Sequence, residues 1–562
     1  MPATSPRFLL AAWLVLAPLV SAESAPRAAR PLAASASPPD ADQPSSPGAA
    51  QAAASPAAPT PALEVEEATV AGLQAGMAAG RFTARRLAEA YLARIAAVDP
   101  KLRSVLEVNP DALAIADALD AERREKGPRG PLHGIPVLLK DNVATADRME
   151  TTAGSLALVG AKPPRDAFLV GRLRAAGAVI LGKTNLSEWA NIRSSHSSSG
   201  WSARGGQTRN PYALDRNPCG SSSGTGVAVA ANLVAVGVGT ETDGSIVCPS
   251  SANGLVGVKP TVGLVSRTGV VPISASQDTA GPMARTVADA AALLGAMAGV
   301  DPADPATAGS RGRAPADYAA FLDADGLRGA RIGVARKKLF GSSEGVDRLM
   351  EEAVAEMRRR GAVIVDPADI PHLGEYDEAE LEVLLYELKD GLARYLPAFA
   401  PGAPVRTLED VIAFNRNHRD REMPYFGQDL FEKAAQKGPL TDRAYRRARS
   451  RSRRLAGPEG LLAVMDRHRL DAVVAPTGGP AWVTDLVNGD HFVVGSSTPA
   501  AVAGTPAITV PAGQVFGLPV GITFMGRPWS EATLLRLAYA YEQATRHRRP
   551  PRLAPEADLG AP

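Results

Sequence analysis

Two Ser-rich turns and one lysine carry the side-chain types that can perform acyl transfer. The first turn is Gly220-Ser221-Ser222-Ser223-Gly224. The second, Gly239-Thr240-Glu241-Thr242-Asp243-Gly244-Ser245, ends 24 residues after Ser221. Asp243-Gly244-Ser245 has the composition of a tight turn whose successive backbone N–H groups can form an anion-binding nest. A serine at the end of such a turn has oxyanion donors beside it. A serine nucleophile also needs a proton acceptor. Lysine can serve when burial lowers its pKa, because desolvation disfavours the charged form. Moving it from about 10.4 to about 7–8 takes roughly 4 kcal/mol of environmental bias. Lys140 follows the short apolar strand Ile135-Pro136-Val137-Leu138-Leu139 and so has a setting of that kind.

Other matches are weaker. Gly220 to Gly224 also reads as G-x-S-x-G, with Ser222 as the elbow nucleophile of an α/β-hydrolase. That pattern needs a strand before it, whereas Asp215-Arg216-Asn217-Pro218-Cys219 makes a turn. Gly177 to Thr184 fits the phosphate-loop pattern G-x-x-x-x-G-K-[ST]. Its intervening Ala178-Val179-Ile180-Leu181 favours a strand, which cannot also curl around phosphates. We read it as a strand followed by a Gly turn. The seven His are scattered without H-E-x-x-H spacing, so no metal is expected, and His133 reads as an ordinary loop residue. Cys219 and Cys248 each lie beside a Ser-rich turn. They can pair in an oxidising compartment, and two buried free thiols fit equally.

The elements that must position these groups follow from length and pattern. The chain has 562 residues, a net charge of +2 and 45% hydrophobic residues. That supplies a large core and excludes a mostly disordered chain, a collagen-like repeat or a disulfide scaffold. Near-neutral charge leaves no nucleic-acid footprint. Met1 to Ala22, with a basic start, an unbroken apolar Phe8–Val20 and the small Val20-Ser21-Ala22, has the pattern of a secretory signal. In residues 23–62, 30 of 40 positions are Ala, Pro or Ser, the composition of a disordered linker. The folded domain is expected over 63–562, exported to the periplasm or secreted. Leu87, Tyr91, Ile95 and Val98 share one helical stripe, which Pro100 ends. Helices are expected over Asp111–Lys126, Arg165–Ala176 and Glu531–Thr545, and strands over Ile135–Leu139, Ala178–Leu181, Ala507–Val510 and Leu518–Phe524. This alternation implies a layered α/β fold around a buried sheet. The polar, helix-rich stretch 375–455 reads as a cap over the site.

The ordered motifs resemble the amidase signature family of serine hydrolases across essentially the whole folded part. The segments that carry the resemblance are Leu132-His133-Gly134-Ile135-Pro136 leading to Lys140-Asp141-Asn142, Gly182-Lys183-Thr184-Asn185 as a turn, Asn217 to Gly224, Gly239 to Ser245, Pro506 to Gly513, and Gly517 to Gly521. Ser202 to Asn210, Cys219 and Gly244 to Pro249 resemble its peptide-amidase branch, whose members remove C-terminal amides of peptides. The chain departs from most of the family at Cys219, Glu241, Asp243 and Val247. The resemblance implies a large mixed twisted sheet covered by helices on both faces. It implies Ser245 as nucleophile, Ser221 as proton relay after a cis peptide bond, and Lys140 as base. It implies backbone N–H groups of Thr242, Asp243, Gly244 and Ser245 as the oxyanion hole, and no cofactor.

The expected activity is release of ammonia from carboxamides, above all C-terminal peptide amides. Alternatives are a general small or fatty amide amidase, an esterase using Ser222, and a non-catalytic exported binding protein. An amidotransferase component with transfer-RNA partners conflicts with an export signal. A small-molecule or peptide amide is the expected partner, with no nucleic acid, no membrane for the mature protein and no obligate partner subunit. Trp201, Tyr386 and Phe414 are the aromatic candidates for the acyl pocket.

Overall fold

Lys140 closes the buried strand Pro136–Lys140, and the sheet around that strand organises the molecule. The computed structural model describes residues 63–560, so the expected signal segment and linker lie outside the described residues. Eleven strands form one sheet. In spatial order they are Val105–Val108, Val179–Thr184, Pro136–Lys140, Val236–Glu241, Thr279–Ala284, Val256–Lys259, Ala507–Val515, Leu518–Met525, Ala472–Pro476, Arg331–Val334 and Val363–Val365. Pairing is parallel among the second to fourth strands and among the last three, and antiparallel elsewhere. Sixteen α-helices surround this mixed sheet among the described residues. Every residue of the second to fourth strands is buried, as expected where helices cover both faces. The layered α/β architecture is therefore the one the alternation implied.

Several boundaries differ from the sequence reading. The first long amphipathic helix, Ala84–Leu102, continues past Pro100 and stops at Arg103, which takes a left-handed φ of 54°. The Asp99 carboxylate then accepts the N–H groups of Ser104 and Val105, turning the chain into the edge strand. Between the two turns that carry the serines, the chain forms the helix Ser223–Ala230 and then the strand Val236–Glu241. The phosphate-loop look-alike is a strand, as read, but no turn follows at Gly182. The strand runs on through Thr184. Gly182 is there because a Cβ would lie 2.4 Å from the carbonyl oxygen of Glu107 on the neighbouring strand. Lys183 turns inward and donates to the Val143 carbonyl and Thr151 Oγ1, both at 2.7 Å.

Segment 375–455 is helical, with Asp377–Phe399, Leu408–Asn417, Arg419–Glu422, Asp429–Ala435 and Arg443–Ala456. The first of these helices grips the loop 274–278. Its Glu387 accepts from Ser274 Oγ at 2.5 Å and from the Ser276 N–H at 2.9 Å. Its Glu380 accepts from Gln277 Nε2 at 2.8 Å.

Because the contact at Gly182 is with backbone, it cannot be relieved by a rotamer change. Gly182→Ala is expected to cost about 1–3 kcal/mol and to lower the thermal unfolding midpoint, measured by circular dichroism.

Candidate active site

Parallel neighbours Pro136–Lys140 and Val236–Glu241 have their C-terminal ends on the same side of the sheet, which brings Lys140 beside the turn that follows the second strand. The Lys140 side chain is fully buried. Its Nζ lies 2.7 Å from Ser221 Oγ, 2.9 Å from Thr240 Oγ1 and 3.3 Å from the Thr240 carbonyl oxygen. Asn142 Nδ2 donates to the same Thr240 hydroxyl at 2.9 Å and holds it in place. Burial pushes the Lys140 amine down to about 7, with Glu241 and Asp278 acting in the opposite direction. That depression represents on the order of 5 kcal/mol of preference for the uncharged amine. Lys183 and Lys259 are also buried and lowered to about 8 by desolvation, but neither touches a serine.

The two Ser-rich turns are tied side by side. The Ser222 N–H donates to the Ser245 carbonyl at 3.1 Å. Cys219 and Cys248 form a disulfide, Cα–Cα 6.0 Å, which joins the residues flanking the two turns and closes the question the sequence left open. The Gly220–Ser221 peptide bond is cis, as the resemblance implied. Ser222 and Ser223 are spent on backbone. Ser222 Oγ donates to the Thr240 carbonyl at 3.0 Å and accepts the Thr240 N–H at 3.2 Å, and Ser223 Oγ donates to the Cys219 carbonyl at 2.7 Å. No strand precedes Ser222, so the hydrolase-elbow alternative lacks both its geometry and a free hydroxyl.

The second turn keeps its donors open. Among the described residues, the N–H groups of Thr242, Asp243, Gly244 and Ser245 donate to no acceptor. Gly244 has φ +77°, a left-handed conformation that L side chains rarely adopt. Glu241 closes the turn by accepting the N–H groups of Ile246 at 2.7 Å and Val247 at 3.0 Å. Asp278 braces it from the other side, accepting from Thr242 Oγ1 at 2.6 Å and from the N–H groups of Ile273 and Ser274 at 2.8 Å each. Desolvation raises the Asp278 carboxyl to about 6, against its hydrogen bonds. The result is an array of unpaired N–H groups beside a buried amine–hydroxyl pair. Such an array can stabilise an oxyanion while the amine handles protons.

A cleft of about 350 Å³ reaches this turn. Gly220, Asp243, Gly244 and Val247 form its floor, with the disulfide alongside. Ser194, Ser195, Ser197 and Ser199 line it together with Trp482, Asp490, Phe492, Gly495, Ser497 and Thr498. The aromatic wall is Trp482 with Phe492, edge to face at 5.9 Å. The three aromatic residues picked from sequence lie elsewhere. Trp201 packs edge-on against Tyr425 and Phe426, Tyr386 packs on Tyr445, and Phe414 stacks on His418. His133 is buried and bonded to the Leu119 carbonyl. Asn142 and Thr240 lie inside the motif segments quoted from sequence but without an assigned role, and Asp278 lies outside every motif, in a loop whose local pattern does not set it apart.

This fold and site define a family. The amidase family profile matches residues 86–535. The structure of the peptide amidase from Stenotrophomonas maltophilia is 58% identical, with a TM-score of 0.83, covering 87% of this chain and 99% of that one. An amidase family protein from Bacillus anthracis is 38% identical, with a TM-score of 0.79 and coverage of 87% and 93%. A probable amidase of Arabidopsis thaliana is 43% identical over 500 residues, 87% of this chain and 92% of that protein. The chain belongs to the amidase family. It is a hydrolase of C–N bonds in linear amides.

Thr240 Oγ1 is a shared acceptor for Lys140 and Asn142, so Thr240→Val leaves both with an unmet donor. We expect a loss of about 1–3 kcal/mol in denaturant unfolding, with ammonia release falling at least about tenfold, equivalent to about 1.4 kcal/mol of barrier.

Proposed function

We propose that this amidase removes the C-terminal amide of peptides through a Ser-Ser-Lys acyl-enzyme mechanism. The observation that carries the mechanism is the 2.7 Å contact between the buried Lys140 amine and Ser221 Oγ, beside a turn of unpaired N–H groups ending at Ser245. Lys140 is uncharged before attack and accepts a proton from Ser221. Ser221 in turn takes the proton of Ser245. Ser245 Oγ adds to the amide carbonyl, and the N–H groups of Thr242 to Ser245 receive the developing oxyanion. The relay returns the proton from Lys140 through Ser221 to the amide nitrogen, and collapse of the intermediate then expels ammonia and leaves the acyl ester on Ser245. Water then repeats the cycle and frees the acid.

The peptide-amide reading is supported by the 58% identity to the Stenotrophomonas maltophilia peptide amidase over nearly its whole length. The mixed lining of the cleft supports it as well. The serine hydroxyls lining the cleft keep lone pairs that can accept a peptide N–H, and Trp482 and Phe492 offer apolar contact. Residues 1–22 are read as an export signal. Deleting them should retain the protein in the cytoplasm, checked by fractionation.

Ser245→Ala and Lys140→Ala should each abolish ammonia release from an N-acyl peptide amide while leaving the circular dichroism spectrum unchanged. Near-normal turnover by either variant removes the mechanism. A serine-directed phosphonate should label Ser245, read by peptide mapping. The base works only when neutral, so kcat/KM should rise with pH through about 7 and level off above it. A profile flat from pH 5 to 9 would contradict Lys140 as base. A peptide amide should be preferred over a fatty amide and a small aliphatic amide, and the reverse order would leave the amidase intact but overturn the peptide assignment.

A further inference from the structure

The helix Arg443–Ala456 contains seven arginines and no acidic residue in fourteen positions. Its Tyr445, Ser452, Leu455 and Ala456 are buried, so it lies flat against the domain, and all seven arginines sit on the exposed arc. Six pairs of these arginines stand three or four residues apart, a spacing at which like charges destabilise a helix. The rest of the chain relieves little of this. Arg454 pairs with Glu459, Arg449 donates to Ser276 Oγ, and Arg451 donates to the Glu375 carbonyl. Among the described residues, the side chains of Arg443, Arg446, Arg447 and Arg453 have no hydrogen-bond or ion-pair partner. The open groove beside them is bordered by Glu378 and Glu382, and Lys437 already holds Glu382 at 2.7 Å.

We propose that this arginine face docks the protein onto an anionic phospholipid bilayer. A fourteen-residue helix presents a ridge about 21 Å long, suited to a plane of charge rather than to a single ion. Guanidinium groups match phosphate oxygens bidentately, which ammonium groups do not. Clusters of four to eight basic residues on an amphipathic helix have the charge density that holds a protein to acidic lipid. The exposed arc carries no aromatic side chain on which bases could stack, which disfavours single-stranded nucleic acid. It also carries no large apolar side chain to insert into hydrocarbon, so the contact is peripheral and salt-sensitive. No helix among the described residues is long and apolar enough to cross a membrane. The site is separate from the amide chemistry and stands without the peptide assignment. A peripheral contact of this kind departs from the expectation that the mature protein meets no membrane.

The test is co-sedimentation of the full chain with vesicles of phosphatidylcholine alone and of phosphatidylcholine with an equal part of phosphatidylglycerol, at low and high salt. The variant combines Arg443→Gln, Arg446→Gln, Arg447→Gln and Arg453→Gln. The parent should bind the phosphatidylglycerol vesicles in excess of the neutral ones, and high salt should remove that excess. The variant should bind the acidic vesicles at least about 100-fold more weakly, with an unfolding midpoint no lower than the parent's. Equal partition onto both vesicle types, undiminished binding by the folded variant, or displacement from acidic vesicles by polyglutamate or duplex oligonucleotide in preference to free lipid would each overturn the proposal. Should the variant unfold early, salt reversal and vesicle selectivity of the parent decide the matter.

Discussion

An amine held out of water is the constraint around which this molecule is built. Lys140 ends a strand whose five residues are all buried, and its amine is held by Ser221 and Thr240, within electrostatic reach of Glu241 and Asp278. An ammonium ion there would lack most of its solvation, so the protein stabilises the neutral base at a pH where free lysine is charged. The surrounding geometry follows from that requirement. Two parallel strands place amine and turn at their shared C-terminal ends, Asn142 fixes the Thr240 hydroxyl, and the disulfide joins the segments that flank the two Ser-rich turns.

The carboxylates near the site are bracing groups rather than partners of the lysine. Glu241 accepts two backbone N–H groups on its Oε2, and Asp278 spends both oxygens on the Thr242 hydroxyl and two backbone N–H groups. They fix the turn from its two sides, which leaves the N–H groups of residues 242 to 245 free to face a ligand. Their charges pull the Lys140 pKa upward, and burial outweighs them. The balance sets the amine near neutrality instead of far below it.

Much of this was legible in the sequence, for identifiable reasons. An apolar run ending in lysine announces a buried amine, and Asp-Gly-Ser announces a turn with exposed N–H groups. Ser222 was ambiguous because its neighbours satisfy a second pattern, and only folding shows its hydroxyl consumed by the Thr240 backbone. Gly182 misled in the opposite direction. Glycine ordinarily interrupts strands, but here it continues one because the Glu107 carbonyl leaves no room for a side chain. That reason is tertiary and leaves no trace in local pattern. The aromatic wall was likewise illegible. Trp482 and Phe492 sit in a loop without periodicity, while the chosen Trp201, Tyr386 and Phe414 pack against other aromatic rings.

The cleft walls and the chemical groups come from distant stretches of chain. Amine, hydroxyls and N–H donors all lie between residues 140 and 245, whereas one wall of the cleft belongs to residues 482–498. They are tied at Thr498, whose Oγ1 donates to Asp243 at 2.7 Å, and exchanges in the rest of the far loop leave that tie in place. Insertions or exchanges in the far loop can retune which acyl groups are admitted while the bond-breaking apparatus stays as it is, a modularity that suits one scaffold to many diets.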